Sequence, residues 1–186
     1  MRNRVLSLAE QRKWLEACQA SRNPSLYPLA ALLCATGARI GELQQLRWRD
    51  VHLDPGEEHV VIRRGSVARE TTKNRMIRAV PIGWQASAVE ALRAHQARAH
   101  GTETVFVGSL RRAFEKSIAA AGLQGVTPHT LRHTVATELA EAGFTTHQLM
   151  AFFGWKTSRM ADRYIHAQPQ RMLASLPMAR AHKFVL

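Results

Sequence analysis

Residues 51–62, VHLDPGEEHVVI, interrupt a chain that otherwise has the apolar spacing of helices. Two short apolar runs, 51–53 and 59–62, flank a turn at Asp54-Pro55-Gly56. Val and Ile favour strands, and Pro followed by Gly favours a turn, so the stretch predicts two strands. Residues 78–82 predict a third strand, and the polar, basic stretch RGSVARETTKNR (64–75) predicts a hairpin with a mobile tip. We therefore expect a small antiparallel sheet of about three strands.

Helical patterns surround this sheet on both sides. Ser7 followed by Glu10 forms a capping box for a first helix that reaches about Ala20. A very apolar second helix is predicted for 25–35 and a third from about Ala38, after Gly37. Beyond the sheet, the spacing predicts helices at 84–99, 109–121, 128–142, 145–153 and 157–165, with a tail helix from about Gln168. The expected fold class is α+β, mostly α-helical, in a single domain over 1–186 that includes a C-terminal tail, 166–186.

Bulk composition excludes several classes of protein. The chain has 186 residues, is 46% hydrophobic and 22% charged, and is long enough to bury a core. No apolar run approaches the roughly 20 residues that span a bilayer, and the first residues lack the apolar segment of a signal peptide. Cys18 and Cys34 form no C-x-x-C pair. A reducing, cytoplasmic location with no membrane contact is expected.

The charge balance is the clearest sign of a binding partner. Lys and Arg number 26 against 14 Asp and Glu, which gives a net charge of +12 and an isoelectric point near 11.1. Such a field attracts polyanions, and nucleic acid is the most common of them. An anionic membrane surface is the weaker alternative, because no single amphipathic helix concentrates the charge.

The stretch TPHTLRH, 127–133, places basic side chains at a helix start. Thr at the N-cap and Pro at the first position begin the helix, so His129 lies in its first turn, where anions are favoured. Arg132 lies three residues on and shares that face. The constellation suits a phosphate, although a capped helix with solvated polar residues fits equally well. Zinc binding by His129 and His133 is less favoured, because position 130 is Thr and the base of an H-E-x-x-H motif is missing.

Two further basic residues admit a functional and an ordinary interpretation. Arg39 begins a helix after a glycine turn, and Glu42, three residues on, can orient its guanidinium group. In isolation this pair is more typical of an exposed surface ion pair. Lys73, in the predicted hairpin, could reach a bound backbone or deliver a proton, but single lysines in loops are usually only solvated.

Tyr164 is one of only two tyrosines and follows Trp155 by nine residues. Packing of Trp155 with its aromatic neighbours explains this segment without any chemistry. A reactive Tyr needs help because its ordinary pKa is about 10, and cations gathered at a phosphate would favour the phenolate. Together the two arginines, the lysine, the histidine, the indole and the tyrosine suit phosphoryl transfer without a metal. The chain contains no G-x-x-x-x-G-K-[ST] motif for ATP.

Four segments carry a family resemblance across essentially the whole chain. In order they are ATGARIGELQQLRW (35–48), TTKNRMIRAVPI (71–82), TPHTLRHTVATELAEAG (127–143) and FFGWKTSRMADRYIHA (152–167). Their order and internal spacing resemble the C-terminal catalytic domain of the tyrosine recombinases, or phage integrase family. The resemblance implies a site-specific DNA recombinase that breaks and rejoins strands through a 3′-phosphotyrosyl intermediate, without metal, ATP or another cofactor.

The resemblance also implies roles for individual residues. Tyr164 corresponds to the nucleophile, and Arg39 and Arg132 to the pair that clamps the scissile phosphate. Other matched positions are Lys73, which protonates the leaving 5′-oxygen, His129, which assists proton transfer at the tyrosine, and the supporting residues Glu42 and His133. Trp155 stands where most members have His; indole donates a hydrogen bond but cannot shuttle a proton, so a positioning role is implied.

Partners and boundaries follow from the same resemblance. Double-stranded DNA, self-association as a tetramer on DNA and accessory DNA-bending proteins are expected, in the cytoplasm of a bacterium or from a phage gene. The N-terminal core-binding domain that members usually carry is absent from this chain, which is either part of a longer protein or naturally short. The tail, 166–186, is expected to dock on a neighbouring protomer or to pack on its own chain.

Three other functions remain open at this point. A DNA-binding remnant without catalysis is disfavoured, because all the matched catalytic positions are filled. A type IB topoisomerase-like enzyme would share the chemistry, but the sequences of the four segments resemble those of integrases. A helix-turn-helix regulator would explain the charge and the helices, but not the joint presence of Tyr164, Lys73 and two arginines.

Overall fold

A computed structural model of the chain describes residues 4–63, 77–99 and 101–165. Within these ranges the helices are α1 Leu8–Gln19, α2 Leu26–Thr36, α3 Ile40–Leu43, α4 Ala86–Gln96, α5 Leu110–Ala120, α6 Pro128–Glu141, α7 Thr146–Phe153 and α8 Arg159–Asp162. The strands are β1 Val51–His52, β2 His59–Arg63 and β3 Ile77–Pro81, and a 3₁₀ turn, Trp48–Asp50, precedes β1. Among the described helices, none is long and apolar enough to cross a membrane.

The three strands form one antiparallel sheet in the order β1-β2-β3, as predicted. Val51 pairs with Val60, and Ile62 pairs with Arg78 across β2 and β3. Burial alternates along β3, so that Arg78 and Val80 lie on the inner face and their neighbours lie on the outer face. A charged residue on the buried face of a strand is unusual, and the inner face of β3 is directed towards the site described below.

Helix α2 is the centre of the core. Ten of its 11 residues are buried, and it packs against α1, α4, α5 and α6. Trp14 of α1 is fully buried; its indole N–H donates to the Ser117 hydroxyl at 2.8 Å, and its ring meets Phe114 edge to face at 5.5 Å. A helix that is apolar all round is typical of such a central position, which explains why α2 shows no amphipathic stripe.

The helix starts follow the capping signals in the sequence. At α1, Ser7 and Glu10 form the predicted capping box. At α6, the Thr127 hydroxyl accepts from the Thr130 backbone N–H at 3.2 Å, and Pro128 occupies the first turn. These caps fix the starting residue of each helix, and in α6 they determine which side chains point inwards one turn later.

Several elements are shorter than the sequence predicts. Gly37 adopts a left-handed conformation (φ 54°) and Arg39 is extended, so the third helix begins only at Ile40, and it ends one turn later at Leu43. The predicted helix over 157–165 contains only the turn α8, and the predicted helix over 84–99 begins at Ala86. The hairpin stretch 64–75, with Lys73, and the tail 166–186 lie outside the described residues, so the predictions for them remain predictions.

Gly37 makes the close approach of three helices possible. A Cβ atom at this position would lie 2.8 Å from Cε1 of Phe153 and 3.2 Å from Cβ of Val135. The positive φ also strains any residue with a side chain. The turn after α2 therefore requires glycine for two independent reasons.

Gly37→Ala should destabilise the fold more than Gly101→Ala. Gly101 has a similar φ of 69°, but a Cβ added there would have no neighbouring atom within 4 Å, so this control isolates the backbone strain. We expect about 1–2 kcal/mol of strain in both variants and about 1–3 kcal/mol more in Gly37→Ala from overpacking. Urea unfolding measures both losses, and equal losses would contradict the close approach at Gly37.

Candidate active site

Arg132 lies where the ends of α2, α6 and α7 meet. Its Nη1 donates to the Gly37 carbonyl at 2.9 Å, and its Nη2 donates to the Phe153 carbonyl at 2.7 Å. Both carbonyls belong to helix C-termini, where backbone acceptors lack intrahelical partners and the dipole favours a cation. Two of the five N–H donors of the guanidinium group are thus used as an anchor, and the anchor fixes its orientation.

The same guanidinium group is buried and lies beside two aromatic rings. Arg132 is only 6% exposed, with its Cζ 4.8 Å from the ring centre of Phe153 and 5.5 Å from that of Trp155. Burial, followed by the charge of Arg39, lowers the pKa of Arg132 to about 10. The group still carries its positive charge at neutral pH.

Glu42 is a buried carboxylate shared by two arginines. Its Oε2 accepts from the Arg39 backbone N–H at 2.9 Å, and its Oε1 lies 3.3 Å from Nη1 of Arg39. Arg78 binds it as a fork, with Nη1 to Oε1 at 3.2 Å and Nη2 to Oε2 at 2.8 Å. The Glu42 side chain is 7% exposed, so the interpretation of an exposed surface pair is wrong for this residue.

The charges around Glu42 determine its protonation state. Burial acts to raise the pKa of its carboxyl group, but the hydrogen bonds and charge of Arg78 outweigh burial, aided by the Arg39 backbone N–H and the Arg132 charge. The pKa of Glu42 therefore lies below its ordinary value, and the side chain is an anion at neutral pH. One carboxylate faces three guanidinium groups, so the cluster keeps a positive excess.

Arg39 and Arg132 present like charges to each other. The Arg39 side chain remains 35% exposed at the N-cap of α3, whereas Arg132 is anchored below it. The charge of Arg39 lowers the pKa of Arg132, in the direction expected for like charges near a buried position. Two adjacent cations in a partly buried position are stabilised by an anion, and a phosphate matches their donor geometry.

Trp155 and Tyr164 meet in an aromatic stack. The rings of Phe153 and Trp155 lie 4.6 Å apart at 19°, and those of Trp155 and Tyr164 lie 5.4 Å apart at 5°. The turn of α8 reverses the chain between the last two, which brings residues nine positions apart into contact. The stack places Tyr164 beside the ring that faces Arg132.

His133, rather than His129, contacts the Tyr164 hydroxyl. Nδ1 of His133 and the phenol oxygen form a short hydrogen bond, whereas His129 is exposed in the first turn of α6. The sequence analysis assigned proton transfer at the tyrosine to His129, one turn earlier in the same helix. Within the described part of the chain no three His, Cys, Asp or Glu side chains come together around a metal position, so the zinc interpretation of His129 and His133 gains no further ligand.

Burial keeps both partners of this hydrogen bond neutral. It raises the pKa of Tyr164, against the opposite effects of the Arg163 and Arg132 charges. It also lowers the pKa of His133, with the charges of Arg163, His129 and Arg132 adding to the effect. The cations favour the phenolate as expected, but their effect is smaller than that of burial. The phenol therefore donates and the imidazole nitrogen accepts.

The site contains one residue that the sequence analysis missed. Arg78, on the inner face of β3, binds Glu42 and also donates from Nε to the Phe152 carbonyl at 3.0 Å. Lys73 itself lies outside the described residues, five positions before Arg78 in the sequence. The structure thus brings together Arg39, Glu42, Arg132, His133, Trp155 and Tyr164, with His129 at the edge.

The sequence model of the phage integrase family matches residues 4–171. The putative integrase of Pseudomonas phage Pf1 is 32% identical over 176 residues, which cover 94% of this chain and 48% of that protein. The chain belongs to the phage integrase family and spans about half the length of the curated relatives it matches.

Solved structures show the same fold. The catalytic domain of bacteriophage HP1 integrase superposes with a TM-score of 0.73 at 23% identity, covering 98% of this chain and 99% of that one. XerH site-specific recombinase bound to difH substrate superposes with a TM-score of 0.68 at 22% identity, covering 92% of this chain and 52% of that one. The chain therefore has the fold of a tyrosine-recombinase catalytic domain.

Replacing Arg163 should shift the protonation of the Tyr164–His133 pair. Its Cζ lies 5.7 Å from the ring centre of Tyr164, and its charge lowers the pKa of both partners. In Arg163→Gln we expect both pKa values to rise, as followed by phenolate absorbance for Tyr164 and by imidazole NMR shifts for His133. Arg159→Gln, at the start of α8, whose C-cap is Arg163, controls for loss of a cation nearby. Unchanged values in Arg163→Gln would contradict this electrostatic account.

Proposed function

We propose that the chain is the catalytic domain of a site-specific DNA recombinase that breaks and rejoins strands through a 3′-phosphotyrosyl link on Tyr164. The observation that carries the proposal is the position of Tyr164, stacked on Trp155 beside the guanidinium group of Arg132. The charge of Arg39 acts on the same guanidinium group, so a second cation supports the proposed phosphate site. Family membership and the shared fold support this assignment.

We propose the following reaction at these residues. The Tyr164 oxygen attacks phosphorus, and the bond from phosphorus to the 5′-oxygen breaks; the phenol proton passes to an imidazole, and Lys73 protonates the leaving oxygen. His133 is the imidazole at hydrogen-bond distance from the phenol, and His129 is the one that the resemblance favours. Because the phosphodiester bond is exchanged for a phosphotyrosyl bond, strand joining needs no ATP.

Arg39 and Arg132 supply the charge that a metal would otherwise provide. The phosphate gains negative charge as the fifth bond forms, and fixed guanidinium groups stabilise that charge without reorganisation. The two carbonyl anchors of Arg132 fix one of these groups before substrate arrives. Trp155 lies between Phe153 and Tyr164, and we assign it the role of fixing the plane of the attacking ring.

The proposed partner is double-stranded DNA. A net charge of +12 favours a polyanion, and XerH, which shares the fold, is bound to its difH substrate in its solved structure. We extend the proposal to a tetramer assembled on DNA, with the tail, 166–186, contacting a neighbouring protomer and with DNA-bending proteins as accessories. The chain spans about half the length of its curated relatives. We therefore include in the proposal DNA contacts made by residues outside this chain.

A covalent adduct between the chain and DNA should depend on Tyr164. The probe is a library of nicked duplexes, randomised over about one helical turn of about 10 base pairs on either side of the nick, incubated with the full chain in EDTA. After denaturation we expect adducts with the wild type and with Tyr27→Phe, which replaces the other tyrosine, and none with Tyr164→Phe. Adducts in Tyr164→Phe would exclude Tyr164 as the nucleophile, and loss of adducts in EDTA would indicate a metal-dependent reaction.

A sulfur atom at the leaving position should rescue Lys73→Ala. A thiolate leaves without a proton, so a 5′-bridging phosphorothiolate bypasses the general acid. We expect Lys73→Ala to cleave the oxygen substrate at least about a hundredfold more slowly than the wild type, and to cleave the sulfur substrate at a rate close to that of the wild type. Tyr164→Phe should stay inactive on both substrates. Equal defects of Lys73→Ala on both would remove Lys73 as the acid.

A further inference from the structure

Arg78 occupies a position that normally holds an apolar side chain. It lies on the inner face of β3 beside Val80 and opposite Ile62, and it is 8% exposed. Burial of a guanidinium group in such a place costs several kcal/mol unless its donors are paired. Its retention there therefore requires a set of well-placed acceptors.

Three of its donors have acceptors from two distant segments. The fork to Glu42 crosses 36 positions in sequence, and the bond from Nε to the Phe152 carbonyl crosses 74. The close approach also involves Gly154, where an added Cβ would lie 3.2 Å from Nη1 of Arg78. Arg78 thus joins β3, the start of α3 and the end of α7 at one point.

Each acceptor of Arg78 is linked through a single further contact to one of the two arginines proposed to bind the phosphate. Glu42, held by Arg78, also binds the backbone and side chain of Arg39. The Phe152 carbonyl that accepts from Arg78 directly precedes the Phe153 carbonyl that accepts from Arg132. Movement of Arg78 would therefore be transmitted to both cations through single intermediate groups.

We propose that Arg78 is a positioning residue that holds Arg39, through Glu42, and Arg132, through the end of α7, in register for one phosphate. This inference rests on the proposed function, since it assigns a role within the same site. Arg78 is buried and its fork is occupied by Glu42, so it acts through these groups and does not bind the phosphate.

The test is the rate of adduct formation at saturating nicked DNA, selected from the library above, over a range of pH. Arg78→Met keeps an unbranched, apolar stem, although a shorter one, and removes every side-chain donor. We expect the cleavage rate to fall about tenfold to a hundredfold, the loss typical of a small displacement of catalytic groups. Arg78→Lys keeps the charge without the fork, and should recover part of the rate.

The pH profile separates a positioning role from simple loss of stability. Arg39, Arg78 and Arg132 are the charged groups that face Glu42. Without Arg78, burial of Glu42 is opposed less strongly, so its pKa rises and it protonates as the pH falls. We expect the defect of Arg78→Met to deepen at lower pH, and adding Glu42→Gln to remove that extra pH dependence.

Arg63→Met is the matched control on the adjacent strand. Arg63 donates from Nε and Nη2 to the buried Asp50 carboxylate at 3.0 and 2.7 Å, so this variant also loses a strand ion pair. We expect it to lower the melting temperature and to keep the wild-type pH profile of cleavage. A wild-type rate and pH profile in Arg78→Met would overturn the inference, as would an equal, pH-independent loss in Arg78→Met, Arg78→Lys and Arg63→Met. Failure of the wild type to form any adduct would instead overturn the proposed function.

Discussion

The two hydrogen bonds from Arg132 to the carbonyls of Gly37 and Phe153 are the interaction on which the site depends. They satisfy backbone acceptors at the ends of α2 and α7, which would otherwise be buried without partners. The same bonds fix the direction of a cation that the proposed reaction needs. One side chain thus meets both a structural and a chemical requirement. The left-handed turn at Gly37 lets the helices come close enough for these two hydrogen bonds to form.

Burial and the neighbouring cations have opposite effects on the pKa values of Glu42 and Tyr164, and a different effect prevails at each residue. At Glu42 the guanidinium groups outweigh burial, so the carboxylate stays ionised. At Tyr164 burial outweighs the cations, so the phenol stays neutral against a neutral His133. The site therefore combines ionised groups for holding a phosphate with an uncharged nucleophile. The proposed attack then requires the phenol proton to leave as the bond to phosphorus forms.

Local signals in the sequence predicted most of the fold. Capping residues such as Ser7 and Thr127 set the helix starts, and the change of period at 51–62 indicated the sheet. The shortness of α3 was not predicted, because the apolar spacing of Ile40, Leu43 and Leu46 continues beyond the observed end at Leu43. Trp155 and Tyr164 were predicted to belong to one site, but their parallel stacking depends on the turn of α8.

Arg78 was missed for a different reason. It alternates with Val80 and Ile82 at the spacing of a strand, so a charge on the inner face was visible in the sequence. Its partners were not visible, since Glu42 and Phe152 lie 36 and 74 positions away. For the same reason the local sequence indicated only that Glu42 forms an exposed ion pair with Arg39. Long-range partners of buried charges require the tertiary structure, whereas the buried charge itself can be suspected from the spacing.

The most direct test of the central claim is a crystal structure of the full chain with a nicked target duplex and orthovanadate, which mimics the five-coordinate phosphate. The account predicts vanadium bonded to the Tyr164 oxygen, with Arg39 and Arg132 both donating to the equatorial oxygens and Arg132 still bound to the Gly37 and Phe153 carbonyls. Vanadate bound away from Tyr164, or contacted by only one of the two arginines, would contradict the account.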